Sequence, residues 1–254
     1  MRRVGLMVVL VIMALGLPGR RADAQGKFPP DSFKNLKVLP KNIAQRALID
    51  TMRGFAIALG VRCVYCHVGK EGQPLDSVNF RSDDKRTKRA ARAMMHMVMH
   101  INEEHLADVP DRPMPHVVVK CETCHRGVAR PRPLDDDLAL MLADSGLDAT
   151  VRRYRALRDQ YYGSGSYDFR EITLNLLAGS EARAGRADNA IALLKLNAEF
   201  NANSTQIPFQ LGDIFLQRGD TAAALAEFKE SLAKDSTNGA ARRRLQALGG
   251  AQRP

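Results

Sequence analysis

The sequence contains no tryptophan, and aromatic residues make up only 6% of the chain. A core built mainly on aromatic rings is therefore excluded, and we expect aliphatic and methionine side chains to be buried, or to pack around another group. Four cysteines in 254 residues are too few for a disulfide-dense scaffold. Apolar residues make up 45% and charged residues 26%, which excludes a disordered chain, a collagen-like fibre and a transmembrane bundle.

The one long apolar run of the sequence lies at its N-terminus. Arg2 and Arg3 precede the apolar residues 4–17, and the small-x-small sequence of residues 22–24 follows them. This pattern predicts a signal peptide over residues 1–24 that is cleaved on export. The run is shorter than the about 20 residues that span a bilayer, and an uncleaved membrane anchor is the alternative. We expect a periplasmic or otherwise exported protein, with association at the outer face of the inner membrane left open.

Charge is distributed unevenly along the rest of the chain. Residues 25–134 hold 19 basic and 11 acidic side chains, whereas residues 135–254 hold 15 basic and 16 acidic ones. This change predicts two domains, 25–134 and 135–254, that meet near the Pro-Arg-Pro sequence of residues 131–133. The basic first domain favours protein partners with acidic docking surfaces, or anionic lipid surfaces. Nucleic acid is not an expected partner of an exported protein.

All four cysteines fall in two copies of one motif. Residues 63–67 read Cys-Val-Tyr-Cys-His, and residues 121–125 read Cys-Glu-Thr-Cys-His. The spacing Cys-x-x-Cys-His is typical of c-type haem attachment, in which both cysteines form thioethers and the histidine binds the iron. The sequence therefore predicts two covalently attached c-type haems. The residues expected to bind porphyrin are Cys63, Cys66, Cys121 and Cys124, and those expected to bind iron are His67 and His125.

Three other uses of these cysteines explain the pattern less well. A redox-active Cys-x-x-Cys pair accounts for one motif but not for a second copy with its histidine repeated. A four-cysteine zinc site usually separates its two pairs by about 15–20 residues, far fewer than lie between these motifs. A disulfide within Cys-x-x-Cys closes a very small loop and stabilises little.

A helix is predicted over residues 42–59, directly before the first motif, with Gly60 as a typical helix stop. Its apolar residues recur at helical spacing and form one stripe: Leu48, Met52, Phe55 and Leu59. Met52 therefore lies on the inner face of a helix that leads into the motif. We expect Met52 to be the distal iron ligand of the first haem; a plain core residue is the alternative.

A second helix is predicted over residues 84–106. At about 100° per residue, one face carries a mostly apolar stripe and is expected to point inward. The residues of this stripe are Ala90, Ala91, Met94, Met97, Val98, Ile101 and His105. His96 and Met99 lie on the opposite face, which is expected to meet solvent.

The second haem therefore has several candidates for a distal ligand. Met97 and Met94 both lie on the inner face of the second helix, and helical position alone does not separate them. His105, at the end of the same helix, and His116, after a proline-rich loop, are weaker candidates.

Short stretches of the first domain carry a family resemblance. They are 33–36 (Phe-Lys-Asn-Leu), 52–55 (Met-Arg-Gly-Phe), 58–61 (Ala-Leu-Gly-Val), 97–98 (Met-Val), 101–102 (Ile-Asn) and 124–127 (Cys-His-Arg-Gly). Together they resemble the cytochrome c subunit of photosynthetic reaction centres, over roughly residues 33–130. The resemblance implies a helix before each attachment motif that carries a distal methionine. The matching positions are Met52 and Met97, so the resemblance favours Met97 over Met94.

The resemblance also implies a role in electron transfer, including photosynthetic electron donation. The reaction-centre subunit typically carries four haems and often a lipidated N-terminal cysteine. This chain has two attachment motifs and lacks that cysteine, which indicates a half-size, dihaem relative.

The C-terminal part of the chain repeats with a period of 34 residues. Shifted by this period, Ala178 falls on Gly212 and Ala190 falls on Ala224. Small residues at such helix contacts are typical of tetratricopeptide repeats. Residues 138–161 resemble a degenerate first unit around Gly146, and residues 239–248 a terminal capping helix. Such an array offers a concave face for a protein or peptide, although it could instead buttress the first domain.

The sequence therefore predicts an all-α fold, a c-type multihaem cytochrome domain followed by a short tetratricopeptide-like domain. The expected function is electron transfer between redox partners by an exported dihaem cytochrome, without enzymatic catalysis. A Met/His ligand pair raises the reduction potential of a haem. One alternative is a dihaem peroxidase, which needs an iron with an open distal position. Another is a haem-based sensor or scaffold that signals through the repeats.

Overall fold

The computed structural model describes residues 28–250, and the predicted signal peptide lies outside this range. Within it the chain is helical, apart from one isolated antiparallel bridge between Val68 and Asn79. A 3₁₀ turn covers Leu75–Ser77 and a π-helix covers Ile101–His105. The α-helices are α1 (Gln45–Leu59), α2 (Cys63–Cys66), α3 (Arg86–His100), α4 (Cys121–His125), α5 (Leu134–Tyr161), α6 (Glu171–Arg183), α7 (Ala187–Phe200), α8 (Gln206–Gln217), α9 (Thr221–Lys234) and α10 (Gly239–Gly250).

None of the helices in the described part of the chain combines the length and the apolar character needed to cross a bilayer. The all-α class predicted from the sequence is confirmed. The structure has two compact units that each combine separate segments of the chain. Among the described residues, the first comprises 28–49 and 62–96, and the second comprises 50–61 and 97–250. A domain boundary after residue 134 stays a prediction.

The first unit contains α2, the 3₁₀ turn and most of α3. Val78, which follows the 3₁₀ turn, is fully buried. Its neighbour Asn79 donates its backbone N–H to the Val68 carbonyl at 2.8 Å, which closes the loop that follows the first cysteine motif. This unit is small and rich in loops, so polar contacts rather than a large apolar core hold it together.

The second unit contains the main hydrophobic core. Helix α6 packs on α7, α8 on α9, and α9 on α10, while α5 packs on α6 and α7. The most deeply buried apolar residues of this core are Leu134, Leu138, Tyr154, Leu174, Ala178, Ala190, Leu193 and Leu194. Helix α5 is therefore part of the same core as the repeats.

The 34-residue period is visible in the backbone. Helices α7 and α9 begin 34 residues apart, and each follows a turn with a glycine of positive φ, Gly185 at 77° and Gly219 at 79°. The Arg186 N–H donates to the Glu181 carbonyl at 2.9 Å, and the Asp220 N–H donates to the Phe215 carbonyl at 2.9 Å. These are the same helix-ending bonds in consecutive units. The repeat predicted from the sequence is therefore confirmed.

The ends of the helical array also follow the prediction. Helix α5 is broken at Gly146, whose backbone is non-helical, so it forms the helix pair expected for a degenerate first unit. Helix α10 lies where the terminal helix is expected.

The two helices predicted in the first domain are present with shifted ends. Helix α1 begins at Gln45 rather than residue 42. Helix α3 begins at Arg86, because Ser82 Oγ accepts the Asp84 N–H at 3.0 Å and holds a turn just before the helix. It ends as an α-helix at His100, and the π-helix continues to His105. Helical periodicity alone does not reveal this change of winding.

Candidate functional site

The first motif forms the short helix α2, which is held by one side chain just before α3 and one in its first turn. Thr87 Oγ1 donates to the Tyr65 carbonyl at 2.5 Å, and Lys85 Nζ donates to the Val64 carbonyl. A helix of four residues leaves its carbonyl groups largely without intrahelical donors. These two side chains supply donors, so α3 fixes the position of the first motif within its unit.

His67 directly follows α2 and is half-buried. Its backbone N–H donates to the Cys63 carbonyl at 3.0 Å, and its ring meets Phe80 edge-on with centroids 4.8 Å apart. The ring nitrogen Nδ1 is buried and has no hydrogen-bond partner among the described residues. Burial, reinforced by the positive charge of Lys88, lowers the pKa of His67 to about 4. The imidazole is therefore neutral near pH 7, the form that binds a metal.

Lys88 holds the backbone of the segment that carries Phe80, the ring that contacts His67. It is 8% exposed, and its Nζ donates to the carbonyls of Phe80 and Ser82, each at 2.8 Å. Asp83 Oδ1 lies 3.3 Å from Lys88 Nζ, and Asp83 Oδ2 lies 2.9 Å from Arg92 Nη1. Arg92 and the other donors around Asp83 hold the pKa of that carboxyl far below its usual range. Asp83 therefore balances the positive charge of the buried lysine, and backbone carbonyls accept hydrogen bonds from its ammonium group. Lys88 thus fixes the segment that carries Phe80.

None of the four cysteines is joined to another by a disulfide. Cys63 and Cys124 are exposed, while Cys66 and Cys121 are half-buried, and burial raises the pKa of both half-buried thiols. A redox-active Cys-x-x-Cys pair depends instead on a lowered thiol pKa. Within residues 28–250, no three histidine, cysteine or acidic side chains converge to hold a metal ion.

The second motif forms α4, and its histidine is oriented by a hydrogen bond. His125 Nδ1 lies 2.9 Å from the Val128 carbonyl oxygen. Because a carbonyl only accepts, this contact requires the proton on Nδ1 and leaves a lone pair on Nε2. At the other end of α4, Thr123 Oγ1 accepts the Lys120 backbone N–H at 3.0 Å. Histidines that bind metal commonly donate their second ring nitrogen in this way.

The turn after the second motif is held by two distant segments of the second unit. The Gly127 N–H donates to the Ala58 carbonyl at 2.9 Å, at the end of α1. Ser166 Oγ donates to the Arg126 carbonyl, and Arg126 Nη1 donates to the Gly165 carbonyl at 3.4 Å. Sequence reasoning missed the role of Ser166, because nothing in the Gly-Ser-Gly-Ser loop marks it as a contact of the motif.

The candidate methionine ligands differ in burial. Met52 is half-buried on α1, whereas Met94 and Met97 on α3 are 43% and 44% exposed. The expected inner face of α3 is therefore not packed against protein at these two positions. Met99, expected to face solvent, is 42% exposed, so exposure does not separate the two faces. The weaker candidates, His105 and His116, are exposed.

Comparison with known proteins adds a family to these observations. Residues 14–139 match the family model described as photosynthetic reaction centre cytochrome C subunit. No curated protein matches the chain. Among solved structures, the Yersinia enterocolitica type III secretion chaperone SycD in complex with a peptide of the translocator YopD is similar. The identity is 14%, with 47% of this chain and 92% of that chain covered and a TM-score of 0.34.

The family match covers both attachment motifs and the helices that precede them. It supports a c-type cytochrome that transfers electrons, for which the family implies covalently bound haem. The repeat region is identified by its own 34-residue backbone period and not by the solved structure. Residues 14–139 thus match the photosynthetic reaction centre cytochrome C subunit family, and a tetratricopeptide-like helical repeat follows that region.

Proposed function

We propose that this protein is an exported dihaem cytochrome that passes electrons between redox proteins. The observation that carries the proposal is the orientation of His125, whose Nδ1–H is held by the Val128 carbonyl. A fixed Nε2 lone pair next to a Cys-x-x-Cys helix is the arrangement that an axial ligand of an attached haem requires. When bound, the haem supplies a one-electron couple between ferrous and ferric iron.

The residues of the two motifs have equivalent roles in this proposal. Cys63 and Cys66 would hold one porphyrin by thioethers, and Cys121 and Cys124 would hold the other. His67 and His125 would supply the proximal nitrogen ligands. The neutral imidazole of His67 fits a group that becomes an iron ligand.

Methionines would complete the coordination. Met97 is proposed as the distal ligand at the second motif because the family resemblance favours this position over Met94. Its 44% exposure leaves the side chain available for contact with a bound apolar group. Met52 is proposed at the first motif on the strength of the sequence pattern and the family resemblance. Two saturated Met/His sites favour electron relay over peroxidase chemistry, which requires an open distal position.

The partners follow from charge and from the repeat region. Residues 25–134 carry an excess of basic side chains, so we propose redox partners with acidic docking surfaces. We also propose that the repeats dock a protein or peptide, since Ile172 and Leu176 expose apolar side chains one turn apart on α6. Export places haem attachment outside the cytoplasm, and association with a membrane complex is part of the same proposal.

The number of haems is tested by counting covalent haem on the denatured protein. We expect two haems per chain, which remain attached after acid–acetone extraction. Cys63→Ala and Cys121→Ala should each disrupt attachment at their own motif and leave the other haem in place. Complete loss of haem from the unmodified protein on extraction would refute the c-type assignment.

The distal ligands are tested by spectroscopy of the ferric protein. A thioether ligand gives a weak long-wavelength band that bis-histidine ligation lacks, and it raises the potential. Met52→His and Met97→His should each remove the contribution of one haem to this band and lower the reduction potential of that haem. Met99→Leu is the matched control, because Met99 lies on the same helix as Met97 with nearly the same exposure. If Met94→Leu removes the band and Met97→Leu spares it, the second assignment is wrong. A high-spin iron in the unmodified protein would favour the peroxidase alternative.

A further inference from the structure

Asn102 uses its whole side-chain amide to join two segments of the second unit. Its Nδ2 donates to the Val98 carbonyl at 2.9 Å and to the Val119 carbonyl at 2.8 Å. Its Oδ1 accepts the Val119 backbone N–H at 2.8 Å. The side chain therefore pairs with both backbone groups of Val119, as a neighbouring β-strand would. Three bonds of normal length satisfy the two donors and one acceptor position of this amide.

The backbone around Asn102 is wound to make this contact. Asn102 is the second residue of the π-helix Ile101–His105, in which the Leu106 N–H donates to the Ile101 carbonyl at 2.8 Å, five residues back. π-Helices are rare, and they occur frequently at functional sites. The Asn102 bond to Val98 crosses the junction between α3 and the π-helix, so the same side chain also supports the change of winding.

The two residues that Asn102 joins flank the proposed ligands of the second haem. Val98 directly follows Met97, and Val119 lies two residues before Cys121. Thr123 and Lys120 then fix the start of α4, and the Val128 carbonyl orients His125 at its end. Three groups of hydrogen bonds, joined by short stretches of backbone, therefore connect the residue after Met97 with His125.

From this arrangement we infer that Asn102 is the positioning residue of the second haem site. It holds the end of α3 at a fixed distance from the Cys121–His125 motif and thereby keeps the Met97 sulfur in place as distal ligand. This inference rests on the proposed function, because it takes Met97 and the second motif as ligands of one haem. Asn102 itself makes no bond to the haem.

The hydrogen bonds of Asn102 are needed because the Met97 side chain is exposed. Protein packing does not confine a methionine that is 44% exposed, and its flexible side chain has several rotamers of similar energy. Its position relative to the second motif must then come from the backbone of α3. Small changes in the distance between ligands alter a metal site strongly, and groups outside the ligand set commonly control them.

The test compares variants of the full-length, haem-loaded protein. Asn102→Leu keeps the approximate size and removes all three hydrogen bonds. We expect it to retain two covalent haems but to lose the long-wavelength band of the second haem and lower that haem's potential, as Met97→His does. Asn102→Asp keeps an acceptor for the Val119 N–H and loses both donors, so it should cause a smaller change in the same direction.

A matched control separates positioning from general loss of stability. Asn175 is a buried amide in α6 that donates to Glu171 Oε1 at 2.8 Å and accepts from Asn197 Nδ2 at 2.9 Å. Asn175→Leu should lower the free energy of unfolding and leave the band and both potentials unchanged. If it changes the band as much as Asn102→Leu does, Asn102 has no special role and the inference fails.

The remaining outcomes distinguish the inference from the proposed function. If Met97→His leaves the spectrum unchanged, the proposed ligand is wrong and the positioning role falls with it. If Met97→His removes the band of the second haem while Asn102→Leu preserves band and potential, only the positioning role is overturned. Should Asn102→Leu fail to yield loaded protein, Asn102→Asp decides, and an unchanged band in that variant overturns the inference.

Discussion

At position 60, both the backbone conformation and the close packing require glycine. Its φ is 64°, in the left-handed region, and a Cβ built on it would lie 2.0 Å from the Gly127 carbonyl oxygen. The chain thus passes closest to the turn after the second motif at the point where α1 ends. Only a residue without a side chain permits the Gly127 N–H to reach the Ala58 carbonyl at 2.9 Å.

Gly60→Ala should therefore destabilise the protein. The left-handed backbone costs an alanine about 1–2 kcal/mol, and the forced separation of two backbone segments adds about 1–3 kcal/mol. We expect a loss of about 2–5 kcal/mol in the free energy of unfolding, measured by chemical denaturation. Gly54→Ala is the control, inside the helix that Gly60 follows, where a Cβ meets nothing within 4 Å; it should stabilise by about 0.5–1 kcal/mol. Equal effects of the two substitutions would contradict this account.

At the scale of elements, the repeats match a small residue on one helix to a large one on the next. Gly212 on α8 faces Phe228 on α9, and a Cβ at Gly212 would lie 2.6 Å from the phenyl ring. One period earlier, the corresponding residues are Ala178 and Leu194, both fully buried. The repeat with the larger side chain, Phe228, has glycine at the facing position, whereas the repeat with leucine has alanine there. The two positions therefore compensate each other in volume.

This pairing predicts a coupled effect on stability. Gly212→Ala should destabilise by about 1–3 kcal/mol through overpacking, despite the better helix propensity of alanine. Phe228→Leu alone should also destabilise, because it leaves a cavity. The double variant reproduces the Ala–Leu pair of the preceding repeat, so it should be more stable than the sum of the two single changes predicts. Additive effects in a double-mutant cycle would show that the two side chains do not share this space.

The turn of the first full repeat should also make stability depend on pH. Arg186 donates to both carboxylate oxygens of Glu181 at 2.7 Å, and this pairing lowers the pKa of Glu181 from 4.5. A lowered pKa in the folded state means that the stabilisation is present above pH 4.5 and is lost as the pH falls through the folded-state value. Glu181→Gln should weaken the fall in unfolding free energy below pH 4.5, as measured in a pH series. An unchanged acid dependence would exclude Glu181 as a contributor.

The sequence predicts features whose residues are contiguous or recur with a fixed period. The two motifs are contiguous, and the repeat has a fixed period, so both the candidate ligands and the helical array could be predicted. Asn102, Lys88 and Ser166 donate to backbone carbonyls that lie 4–40 residues away in the chain. Such contacts have no period and no fixed spacing. The exposure of Met97 was missed for a related reason, because the periodicity of α3 shows a face and not what covers it.

At the scale of the whole molecule, the core links α5 to the repeats. Leu134, Leu138 and Tyr154 on α5 belong to the same buried cluster as Leu174 and Leu193 of the repeats. The tetratricopeptide-like region is thus a unit that includes the degenerate first helix pair, because an array needs each face of its helices covered by a neighbour.

A fragment of residues 131–254 should therefore fold without haem, and a fragment of residues 170–254 should be much less stable. The shorter fragment lacks α5, and each large apolar side chain removed from the core contributes about 1.5–3 kcal/mol. Three such losses approach the about 5–15 kcal/mol by which a typical domain is stable. Circular dichroism should show cooperative thermal unfolding of the longer fragment and a lower or absent transition in the shorter one. Equal transitions would mean that α5 is dispensable. An unfolded longer fragment would mean instead that the repeats depend on the segments of the second unit around the second cysteine motif, where Ser166 contacts Arg126.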